Sequence, residues 1–165
     1  MNTLFYLFKL EEATHSLNTL FKENQISDEQ LLLLAQNNIL QKKYEEAENI
    51  LQSFDNQDEN LLELKYRQQI LLLQKTRKRN KSIKAINDYI EFVSTKFGET
   101  YNPLLPIGLY ELARTNAYLH KDNLAIKTLK EAIEEGFDYK NVIQNDPAWD
   151  TLRKTKKWKD VLKDL

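Results

Sequence analysis

Four alanines in this chain are each followed by apolar residues four and seven positions on. Ala13 leads to Leu17 and Leu20, Ala47 to Leu51 and Phe54, Ala85 to Tyr89 and Phe92, and Ala125 to Leu129 and Ala132. Steps of four and three return to the same face of an α-helix. A small side chain at the head of such a face lets a second helix approach closely, and the larger ones fill the space beside it. Successive copies lie 34, 38 and 40 residues apart. That period suits a helix, a tight turn and a second helix, repeated.

The rest of the chain agrees with an all-α fold. There are 27 Leu against 3 Gly and 3 Pro, and no segment alternates with period two. Ser27 and Gln30 form a capping box ahead of a helix with Leu31, Leu34, Ala35 and Asn38 on one face. A turn at 41–43 precedes a helix from Tyr44, with Ala47, Ile50, Leu51 and Phe54 inward. Residues 55–60 read as a loop and 60–75 as a longer helix. Ile83, Ile86, Ile90, Val93 and Phe97 form the clearest stripe, which Gly98 is placed to end. Asn102-Pro103 reads as N-cap and first residue of the next helix, with Leu105, Leu109, Leu112, Ala113 and Asn116 inward. A further helix holds Leu124, Ala125, Ile126, Leu129, Ala132 and Ile133 and stops at Gly136. Asp146-Pro147 repeats the start signal, before a terminal helix with Trp158, Val161, Leu162 and Leu165 inward.

Leu34-Ala35 with Tyr44-x-x-Ala47-x-x-x-Leu51 resembles the first- and second-helix motifs of the tetratricopeptide repeat. Leu112-Ala113 with Asn123-Leu124-Ala125-Ile126, Leu129 and Ala132 through Phe137 is a closer match. Asp146-Pro147-Ala148-Trp149, then Leu152-Arg153 and 158–162, is similar to the capping end of many bacterial arrays of this family. The resemblance implies one domain over 1–165, a right-handed superhelical solenoid of antiparallel helical hairpins. Its repeats would be a partial one over 1–27, then 28–61, 62–99 and 103–139, with a cap over 146–165. The first repeat would hold only a stub of a first helix, so Met1 is either a boundary within a longer protein or the natural start.

Chemistry is sparse. The chain has no Cys, and His15 and His120 stand in no metal-binding pattern. No phosphate-cradling Gly-rich loop and no nucleophile elbow is present. Neither catalytic residues nor a metal or other cofactor is expected. Lys plus Arg is 24 and Asp plus Glu 25, a balance that argues against nucleic acid as partner. Two basic runs, 75–84 and 153–159, read as solvated turns. The apolar run 4–8 lacks the flanks of a signal peptide, and no apolar stretch approaches a membrane span. A cytoplasmic protein is expected.

By the resemblance, the first helices would line a concave groove that binds a protein or peptide segment. Carried over by position, that groove draws on Gln36, Arg67, Gln74, Tyr110 and Arg114, with Glu29, Leu32, Ile70 and Ala117 beside them. The Lys and Asn set with which some relatives clamp a terminal carboxylate is replaced by Leu32, Leu33 and Gln36. Two other readings remain open. One is a structural or regulatory C-terminal arm of a larger enzyme or receptor. The other is self-association through Leu4, Phe5 and Leu7 of the partial repeat.

Overall fold

A computed structural model describes residues 3–97 and 102–161. Among them every regular element is helical. The chain divides into two compact units, Met1–Lys78 and Arg79–Leu165.

The first unit holds α1 (Thr3–Lys22), α2 (Asp28–Leu40), α3 (Tyr44–Ser53) and α4 (Glu59–Lys75). The other three helices all pack against α2. A helix surrounded on three sides must be apolar nearly all round. Accordingly Leu32, Leu34, Ala35 and Ile39 are all buried, and so are Asn37 and Asn38. The expected one-sided stripe is thus too narrow: Leu32 and Ile39 join it, and Leu31 is only half-buried. The capping box forms as expected, with Ser27 Oγ accepting from Gln30 N and Gln30 Oε1 accepting from Ser27 N. Asp58 caps α4 in the same way, accepting from Asn60 N and Leu61 N.

α1 is one continuous helix from Thr3 to Lys22, and among the described residues no separate helix precedes it. Its buried stripe is Leu10, Thr14 and Leu17, whereas Ala13 is exposed. The first alanine therefore does not play the part of Ala47, Ala85 and Ala125, which are buried. The side of α1 turned to α2 is fixed by Thr14 instead. Its hydroxyl donates to Leu10 O at 2.7 Å and accepts from Gln41 Nε2 at 2.6 Å.

The second unit holds α5 (Arg79–Phe97), α6 (Leu105–Tyr118), α7 (Asp122–Glu134), α8 (Lys140–Asn145), a single 3-10 turn at Pro147–Trp149, and α9 (Lys156–Val161). α6 is central, packing on α5, α7 and the 3-10 turn. The buried face of α5 is Ser82, Ala85, Ile86, Tyr89 and Val93, while Ile83 and Ile90 are half-buried. Close approach of α6 explains that rotation. A Cβ on Gly108 would stand 3.0 Å from Ile90 Cγ1 and 3.2 Å from Tyr89 Cδ1. α6 begins two residues later than expected. Asn102 Oδ1 accepts from Leu104 N and Leu105 N, and its Nδ2 donates to Val93 O, so an extra turn precedes the helix. Leu105, Leu109 and Leu112 are half-buried, and Leu124 is exposed. The terminal helix buries Trp158 and Val161. The expectations for Gly98, Leu162, Leu165 and the side chains of Leu4, Phe5, Leu7 and Phe97 fall outside the described residues.

One turn recurs. After α1, α2, α4, α6 and α7 the backbone turns left-handed at Asn24, Lys42, Arg77, His120 and Gly136, with φ of 54°, 64°, 58°, 56° and 103°. Each of these residues donates its N–H to the carbonyl three residues back. The next residue donates to the carbonyl five back, as in Lys42 N to Ile39 O and Lys43 N to Asn38 O. This Schellman arrangement satisfies carbonyls that a helix end otherwise orphans. Residues other than glycine are strained there by about 1–2 kcal/mol. His120→Gly is expected to stabilise the second unit by about 0.5–1 kcal/mol, less than the strain because glycine widens the unfolded ensemble. Gly136→Ala is expected to destabilise it by about 1–2 kcal/mol. Both Trp residues lie in this unit, so denaturant titrations read by their fluorescence check the pair.

Candidate functional site

The five residues assigned to a binding face fall into two settings. In the first unit Gln36 is half-buried on α2, and Arg67 and Gln74 stand on the neighbouring α4. Arg67 and Gln74 are seven residues apart, about 10 Å along one helix face. Arg67 is exposed and lies 3.6 Å from Glu63 one turn earlier, an ion pair worth a few tenths of a kcal/mol. Its guanidinium still faces solvent. Glu29 is exposed, while Leu32 and Ile70 are buried. These two are buried rather than on the surface of a groove.

In the second unit Tyr110 and Arg114 come together, and both are engaged internally. Tyr110 is 4% exposed. Its ring stacks on Phe137 at 4.2 Å, and its hydroxyl donates to Asp146 Oδ2 at 2.9 Å. Trp149 Nε1 lies 3.4 Å from the same hydroxyl. Arg114 Nη1 donates to Glu111 at 3.1 Å. Arg114 Nε lies 3.0 Å from Asp146 Oδ2, but its N–H is not aligned on the oxygen, so this is a contact of charge. Asp146 Oδ1 starts the 3-10 turn by accepting from Ala148 N, and Arg153 Nη2 donates to Asp146 O. Ala117 is buried nearby in the same core.

Burial pushes the Tyr110 hydroxyl well above the ordinary tyrosine value, and the Asp146 carboxylate adds to the rise. For Arg114, burial works toward a lower value, but Glu111 and Asp146 outweigh it and hold the guanidinium above its usual range. Sequence spacing put Tyr110 and Arg114 on one helix face. It gave no sign that a carboxylate 36 residues beyond Tyr110 would claim them both.

The basic runs are partly spent as well. Lys78 pairs with Glu48 at 3.2 Å. The Arg79 guanidinium sits 4.0 Å over the Tyr118 ring. Arg153 pairs with Asp150, and Lys157 donates to Asn123. Among the described residues no cluster of His, Asp and Glu has the geometry of a metal site.

The first unit also carries a groove. α1 and α3 form its walls and α2 its floor, where Leu34 and Asn38 lie. It encloses about 470 Å³, a volume in the range of ligand sites.

Asp146→Ala is expected to cost the second unit about 2–4 kcal/mol, because Arg114 loses a carboxylate and the turn loses its cap. Tyr110→Phe is expected to cost about 1 kcal/mol. The raised Tyr110 value also sets a pH dependence. Below the ordinary tyrosine pKa, about 10, folded and unfolded chains both hold the proton. Above it the unfolded chain releases the proton first, so stability falls as pH rises toward the raised value. Unfolding titrations read by tryptophan fluorescence above that pH are expected to show a shallower fall for Tyr110→Phe.

No family model, no curated protein and no solved structure matches the chain.

Proposed function

We propose that this protein is a non-enzymatic recognition module of tetratricopeptide type, a right-handed solenoid of helical hairpins that binds a segment of another protein. The recurring turn is the observation that carries the reading. Lys42, Arg77 and His120 close α2, α4 and α6 with the same pair of hydrogen bonds. The helix after each turn buries an alanine, Ala47, Ala85 or Ala125. A unit of this kind cannot bury its apolar face alone and gains stability by stacking on another. The extended surfaces that result are the binding surfaces such arrays use.

The bound segment would meet α2 and α4 of the first unit through Gln36, Arg67 and Gln74. Arg67 offers a planar fork suited to a carboxylate. Tyr110 and Arg114 would shape the second unit instead of touching a partner, since Asp146 already engages both. No helix among the described residues is long and apolar enough to cross a membrane.

The test is affinity capture from the native lysate with wild type and Arg67→Glu side by side. Wild type is expected to retain a partner that Arg67→Glu loses by about tenfold or more. The melting temperature should stay nearly level, as for a surface change of about 0.5 kcal/mol or less. Equal retention by both proteins would overturn the assignment of this face. Recovery of no partner would overturn the recognition reading itself.

A further inference from the structure

The groove over α2 has a shape and an inventory that specify an occupant. It continues along α1. A second stretch, lined by Glu11, His15, Leu40 and Lys42, meets the first at Asn18 and Lys43, which border both. From Glu11 to Phe21 the wall of α1 is about 15 Å long, the reach of four to five extended residues.

Three features of the lining matter. Phe21 and Leu40 are 44% and 41% exposed, among the few large apolar side chains in the unit that remain so. One stands toward each end of the run. Between them Lys43 is exposed, with no carboxylate within ion-pair distance among the described residues, although Glu11 and Glu46 also line the run. The third is Asn38. It is 3% exposed and borders the groove, yet its side-chain amide makes no hydrogen bond in the protein. What little of the side chain is accessible faces the groove, where a ligand can take the place of water at the amide. An amide has the donor and acceptor of a peptide group, and so complements one.

We propose that this groove binds an extended peptide segment of four to five residues, with an apolar side chain at each end and a carboxylate between them. The ends seat against Phe21 and Leu40, the carboxylate meets Lys43, and the backbone pairs with Asn38. This rests on the recognition reading but places contacts on α1 and α3, apart from Arg67.

The test uses the full chain and blocked, fluorescently labelled five-residue peptides with Leu at both ends and Asp, Ala or Lys at the centre. Anisotropy titrations are expected to rank Asp over Ala over Lys, with about tenfold or more between the extremes. Lys43→Glu should reverse that order. Asn38→Leu should weaken binding by about tenfold with little change in melting temperature, since the amide makes no bond within the protein. Phe21→Ser should weaken binding with little change in melting.

Binding indifferent to the central residue, or unchanged by Asn38→Leu, would overturn the proposal. So would sedimentation showing a dimer that Phe21→Ser dissociates, because a second copy would then be the occupant. If no peptide binds but a captured partner still depends on Arg67, the groove fails and the recognition reading stands. If neither occurs, both fail.

Discussion

The Asp146 carboxylate is the point on which the second unit is built. One oxygen begins the 3-10 turn, and the other receives the Tyr110 hydroxyl and faces Arg114. Its backbone carbonyl accepts from Arg153. These bonds pin the segment after α8 to the middle of α6. Trp149 is thereby held fully buried, 6.3 Å from Tyr110 and 5.5 Å from Trp158. A buried ion pair contributes little net stability against an apolar replacement, because both charges have lost water. What it supplies here is direction. The carboxylate admits only one placement of the turn, and the aromatic surfaces that follow provide the free energy.

The first unit closes differently. Its central helix is covered on three sides, and its cross-links are scattered rather than gathered on one residue. Gln41 reaches Thr14, and Lys65 donates to Phe54 O at 2.9 Å while lying over the Phe54 ring. Among the described residues no aromatic stack seals the cleft between α1 and α3. The amide of Gln68 in α4 is enclosed with no partner, and that of Asn38 opens only to the groove. A chain tolerates such losses where another requirement competes with stability.

How much of this the sequence disclosed depends on the range of the interaction. Helix starts were legible where a side chain answers its own backbone, as at Ser27 and Asp146. The recurring left-handed turn was not, because Lys42, Arg77 and His120 are not the glycine that marks such a turn. α8, with Lys140–Asn145, is too short to show a helical period. The four alanines looked alike, yet Ala13 faces outward since Thr14 finds its partner in Gln41, a contact no spacing on α1 could reveal. Tyr110 was legible as a face residue, but its burial is decided by Phe137 and Asp146. The α1–α3 groove had no sequence signature, because its walls are separated by the whole of α2.

The contrast between the units bears on where recognition can occur. A group already bonded within the protein must break that bond to meet a ligand, and the exchange yields little. In the second unit Tyr110 and Arg153 are bonded to Asp146, Arg114 faces its carboxylate, and Trp149 is bonded to Tyr110. A ligand reaching for any of them would loosen the turn that holds the core. In the first unit Asn38 and Lys43 have nothing to give up. A ligand there can gain an amide pair and a charge pair without breaking a bond within the protein. Preorganised and unspent groups are what convert contact into affinity. The unit with the weaker internal network is therefore the better equipped to bind.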